Sequence, residues 1–145
     1  MMTAMSTPAP SSPPASPSGP TPALADPLPQ PHGRPWRNRF ALAPLTNTQS
    51  HADGTLSDDE RRWLVARGTG GFGLVMTAAA YVAPAGQAWG GQLGIASDAH
   101  LSGLTALADE LRATGATSSV QLHHGGRRAD PRLTGRPNPR RTRSR

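Results

Sequence analysis

Gln121, His123, His124, Gly125 and Gly126, in the stretch SSVQLHHGGRR, are the best equipped for chemistry in this 145-residue chain. A carboxamide offers one acceptor and two donors, and in an otherwise apolar strand it needs a partner if buried, which makes Gln121 a candidate ligand contact. His123 and His124 are adjacent, and adjacent residues of an extended chain face opposite sides. The pair therefore does not converge on one metal or one substrate, and His124 is read as shaping the glycine loop. No metal site is expected. Cysteine is absent, which excludes disulfides, thiolate ligands and a thiol nucleophile. Redox chemistry would have to be carried by a bound cofactor.

The elements that must position these residues alternate along residues 36–126. RFALAPL (39–45) is a strand-length apolar run ended by Pro44, which cannot donate to a sheet ladder. LSDDERRWLVARGTGG follows as a helix. Ser57 is its N-cap, Glu60 completes a capping box, Trp63, Leu64 and Ala66 form its inner face, and glycines stop it. FGLVMTAAA (72–80) has the continuous apolar character of a strand buried on both faces. SDAHLSGLTALADELRATG repeats leucine at helical spacing, with Ser97 or Asp98 at its start and Gly115 at its end. ATSSVQLHH (116–124) completes a β-α-β-α-β order.

That order fits an open doubly wound sheet or a piece of a (β/α)8 barrel. The first strand leads into APLTNTQS rather than a glycine-rich phosphate loop, and all three strand ends finish in small or polar residues. These are Pro44 and Thr46, Thr77 to Ala80, and Gln121 to His124. A barrel gathers such strand ends into one site, so the expected class is α/β, about three βα units from the N-terminal portion of a TIM barrel.

Composition sets the flanks. Residues 1–35 hold 11 of the 16 prolines and no aromatic residue, so they are expected to form a disordered Pro/Ser/Ala-rich arm. The net charge of +6 is concentrated after Gly126, where eight of the fifteen arginines face a single acid, Asp130. Residues 1–126 carry seven arginines against eight acids, so the body is nearly neutral and residues 127–145 are read as an irregular Arg-rich tail. The chain shows neither a basic start followed by an apolar block nor a membrane-length apolar run, and a cytoplasmic location is expected.

Taken in order and spacing, NRFALAPLTNT, GGFGLVMTAAAYVAPAGQAW and GIASDAHLSGLTALADELRATGATSSVQLHHGGRRA resemble the N-terminal part of the old yellow enzyme family of FMN-dependent NAD(P)H:flavin oxidoreductases. The resemblance covers roughly residues 36–136 and implies an FMN-binding (β/α)8 barrel. It puts flavin contacts at Pro44, Thr46, Ala79 and Gln121. It further implies NAD(P)H as reductant and an activated alkene, or another small-molecule electron acceptor, as substrate. The family's anchoring histidine pair, proton-donating tyrosine and FMN-phosphate contacts belong to later strands and loops. Tyr81 does not match the proton donor, so no catalytic residue is assigned. The expectation is a truncated, inactive product whose final residues are out of frame, with self-association through open sheet edges. A competing reading from charge alone makes the tail a nucleic-acid or acidic-partner arm, but the tail lacks the aromatic residues that stack on bases, and nucleic acid is not the favoured partner.

Overall fold

A computed structural model describes residues 22–135. Within it the chain forms β1 (Ala41–Leu42), α1 (Asp58–Thr69), β2 (Leu74–Tyr81), α2 (Leu101–Ala113), β3 (Thr117–His123) and a short α3 (Pro131–Thr134). The strands pair in parallel in the order β1-β2-β3, with Leu42 opposite Val75 and Leu74 opposite Thr117. Parallel neighbours require a crossover, and α1 and α2 provide the two crossovers.

α1 begins where Ser57, in an extended conformation, accepts the Glu60 N–H at 3.1 Å. Asp58, Asp59 and Glu60 then sit at the positive end of the helix dipole. The expected capping box is only half made, because the Glu60 side chain turns away from the cap toward the loop after β1. The inner face also differs from expectation: Leu64 and Gly68 are buried, Trp63 is half-buried and Ala66 is exposed. Gly68 explains the roll of the helix. A Cβ there would lie 2.5 Å from Thr114 Oγ1, so the bare backbone packs directly on the end of α2. Arg61 ties the helices together through two 2.8 Å contacts with the Glu110 carboxylate.

α2 follows a 3-10 turn over Asp98–His100, and its chain reverses at Gly115, whose φ of +82° is the left-handed conformation that glycine adopts without cost. Leu64, Val75, Leu107, Leu111 and Ala116 form the core between helices and sheet, with Leu42, Leu56 and Phe72 packed around them. Val75 thus marks the helix-facing side of the sheet.

Both flanks are described only in part. Of the arm expected over 1–35, residues 1–21 lie outside the described residues. Over residues 22–35 the chain forms turns and bends, with Leu28 and Trp36 bridged by two 3.0 Å hydrogen bonds and Arg39 N–H bound to Leu24 O. Arg37 anchors this segment by donating to Thr114 O and Gly68 O, at the ends of α2 and α1, and to Phe72 O in the turn before β2. Of the tail expected over 127–145, residues 136–145 lie outside the described residues. Residues 131–134 are helical because Asp130 caps Arg132 N–H, Pro131 occupies the first turn and Gly135 stops the turn at φ +63°.

Replacing Arg37 with Met keeps the aliphatic stem and removes three hydrogen bonds. The expected outcome is a loss of about 1–2 kcal/mol, read as a lower urea midpoint with an unchanged slope.

Candidate functional site

Ala79 and Gln121 meet because β2 carries one residue too many. Met76 pairs with Ser119, yet Ala79, three positions on, pairs with Gln121, two positions on. Strict alternation would put Ala79 on the same side as Val75, facing the helices. The extra residue, in the stretch where Thr77 Oγ1 donates to Ala78 O at 2.8 Å, turns Ala79 to the opposite face. Gln121 shares that face: its neighbour Val120 lines a groove with Leu101 and Leu104 of α2, so alternation points Gln121 away from the helices.

Pro44 and Thr46 lie on the segment that leaves β1, whose two residues pair with the start of β2. Their position depends on the loop that follows. Glu60, fully buried, accepts from Asn47 Nδ2 at 3.0 Å and from Ser50 Oγ, which fastens residues 47–50 to the first turn of α1. Ser50 N–H also bonds Gly91 O at 3.1 Å. Gly91 stands at φ +69°, and a Cβ there would lie 2.4 Å from Thr48 O, so only glycine lets these two loops touch.

A second fastening holds the end of β2. Tyr81, buried, donates its hydroxyl to Asp53 O at 2.8 Å, and the His100 ring meets it edge-on with Nε2 3.2 Å from the same carbonyl. Burial, helped by the nearby Asp53 charge, pushes the Tyr81 phenol above its ordinary 10.0. It therefore stays a donor through neutral pH and serves the loop. The Asp53 carboxylate accepts from Thr55 N–H at 2.9 Å and from Thr55 Oγ1 at 2.7 Å, and the backbone donor above all holds its pKa below the ordinary 3.8.

The four sequence-predicted positions fare differently. Ala79 is 6% exposed, with its carbonyl taken by Gln92 Nε2 at 3.0 Å. Gln121 is exposed, so the condition of burial under which it would need a partner is not met in the described residues. Thr46 is exposed as well, and among the described residues neither its hydroxyl nor the Gln121 amide has a hydrogen-bond partner. Pro44 is half-buried. Ala79 and Gln121 thus stand side by side near the C-terminal ends of β2 and β3, a covered methyl next to an exposed carboxamide. His124 does shape the glycine loop, its Nδ1 accepting from Gly126 N–H at 3.0 Å. His123 lies on the Gln121 face, 3.1 Å from Gln92. Among the described residues no cluster of three metal-ligating side chains occurs.

Sequence reasoning missed Gln92 and the Asn47–Ser50–Glu60 network. The glycines around Gln92 in GGQLG mark a loop, but nothing in residue type says that its glutamine is buried.

The sequence pattern of the NADH:flavin oxidoreductase / NADH oxidase family matches residues 34–141. A probable NADH-dependent flavin oxidoreductase of Bacillus subtilis is 44% identical over 89 residues, which are 61% of this chain and 24% of that protein. Among solved structures, a 2-naphthoyl-CoA reductase complex superposes with a TM-score of 0.72 at 32% identity, covering 78% of this chain and 17% of that one. An old yellow enzyme from Trypanosoma cruzi gives 0.69 at 27% identity, covering 81% and 31%. The chain thus spans about a quarter of the length of the curated relative, and its fold is that of a portion of an old yellow enzyme (β/α)8 barrel.

Removing the Glu60 carboxylate leaves two polar partners unpaired. Glu60→Ala is expected to cost about 1–3 kcal/mol and to speed amide exchange over residues 47–50 before the rest of the sheet. Asp53 predicts an acid limit. Because its folded pKa is depressed, its contribution is complete above about 3.8 and fades as pH falls through the lower folded value. A carboxyl-carbon NMR titration should place the Asp53 midpoint below 3.8, and Thr55→Val should move it back up.

Proposed function

The chain belongs to the NADH:flavin oxidoreductase / NADH oxidase family, and from that premise we propose that Pro44, Thr46, Ala79 and Gln121 form the part of an FMN site contributed by its first three strand ends. Residues 36–126 would be the barrel portion that carries it. The observation that supports this most is the extra residue in β2, which puts the small Ala79 side chain and the free Gln121 amide side by side on the face away from the helices.

When bound, FMN supplies hydride transfer from NAD(P)H to an activated alkene in the whole protein. The residues of this chain have the positions for binding and orientation. Pro44 keeps its carbonyl free as an acceptor while its ring fixes the backbone. Thr46 offers a hydroxyl to one edge of the heterocycle, and hydrogen bonding there tunes the reduction potential. Ala79 allows close approach because it has no atom beyond Cβ. Gln121 offers both donor and acceptor to the pyrimidine edge. A cytoplasmic site of action fits a cysteine-free chain in which, among the described residues, no helix is long and apolar enough to cross a membrane. Self-association would use the outer edge of β3, where Leu122 is 66% exposed.

FMN fluorescence quenching by the full chain, with circular dichroism reporting the fold, tests the site. Saturable quenching is expected, and Ala79→Leu should weaken it about tenfold, equivalent to about 1.4 kcal/mol, without loss of the α/β spectrum. A folded chain that leaves FMN fluorescence unchanged would show that these four residues do not form a flavin face by themselves.

A further inference from the structure

Gln92 is 1% exposed, and every polar atom of its side chain faces a partner. Its Oε1 accepts from Ala88 N–H at 2.8 Å, and its Nε2 donates to Ala79 O at 3.0 Å. A backbone N–H can only donate and a carbonyl can only accept, so these two contacts fix which end of the amide is which. The remaining N–H of Nε2 then points at His123 Nδ1, 3.1 Å away. That nitrogen must be the acceptor, which places the imidazole proton on Nε2. Trp89 lies against the same ring, 5.3 Å between centroids and tilted by 55°, and restricts its plane.

We infer that Gln92 is a positioning residue that couples the backbone of Ala79 to the tautomer of His123, so that His123 Nε2–H stands as a directed donor on the sheet face shared with Gln121. Nε2 has no hydrogen-bond partner among the described residues, and His123 is half-buried, so the donor remains available to an acceptor oxygen or nitrogen of a small molecule on that face. The use of that donor rests on the proposed flavin face; the tautomer does not. Gln92 supplies no reacting atom. It sets which hydrogen-bonding sign the site presents, and it does so through two backbone groups that substitution elsewhere cannot easily change.

Proton–nitrogen correlation spectra of the histidine-labelled full chain test this, with the His123 signals identified by their loss in His123→Asn. In the unsubstituted chain a single tautomer is expected, Nδ1 bare and Nε2 protonated, and a scalar coupling across the hydrogen bond should connect Gln92 Nε2 with His123 Nδ1. Gln92→Glu replaces the donor with an acceptor and should move the proton to Nδ1, reversing the order of the two nitrogen resonances. Gln92→Met, which keeps the length without the polar atoms, should leave a mixture of both tautomers. A tautomeric mixture in the unsubstituted chain overturns the inference. So does an unchanged Nε2–H pattern in a folded Gln92 variant. The coupling in the unsubstituted chain is decisive even where a variant fails to fold, since its absence with both resonances resolved also overturns the inference. Adding FMN afterwards separates the two claims, because a Gln92-dependent tautomer in a chain that ignores FMN removes the flavin reading alone.

Discussion

The pairing of β2 with β3 governs the candidate site, because a parallel ladder fixes which side chains share a face. One residue more on β2 than on β3 between Met76 and Ala79 reverses the facing of everything beyond it. Before that point β2 turns Val75 into the core against α1 and α2; after it, Ala79 faces the other way with Gln121. A continuous alternation would have turned Ala79 toward the helices and set Ala78 and Ala80 on the free face instead. The bulge lets one strand serve the core at one end and the site at the other.

The loops at the strand ends are held by polar groups that satisfy one another rather than by apolar burial. Glu60 fastens the segment after β1, Tyr81 and His100 close on the Asp53 carbonyl, and Gln92 bridges β2 to the loop below Trp89. Such networks are stable only when complete, since an unpaired group in a dry environment costs as much as a lost contact elsewhere. Glycine recurs at the points of closest approach for the same reason. Gly91 clears Thr48, and a Cβ on Gly94 would lie 2.3 Å from His100 Nε2. The hydrogen bonds and the bare backbones therefore form one arrangement.

Much of the fold was legible because its signals are local. Ser57 with three acids after it, the leucine spacing of α2 and Gly115 at its end announce helices through caps and periodicity. The short apolar runs announce strands, and their small or polar ends announce a shared site. What escaped reading depends on partners distant in sequence. Between Met76 and Ala79 the strand has no glycine or proline to flag a bulge, Glu60 looks like a capping partner until Asn47 and Ser50 claim it, and Gln92 shows its worth only when Ala79 and His123 are beside it. The reach of Arg37 to two helix ends escaped for a related reason, since a proline-rich composition gives no hint of it.

Thr117, Ser119, Gln121 and His123 alternate along β3, so the face of this strand turned away from the helices is wholly hydrophilic. Water can wet that row as readily as any ligand can cover it. A molecule settling there must first strip a hydration layer, and each contact it makes replaces one already satisfied. Its hold on the surface will consequently follow the match of donors to acceptors far more than the area it covers, and an ill-matched ring of the same size would be refused by solvent rather than by shape.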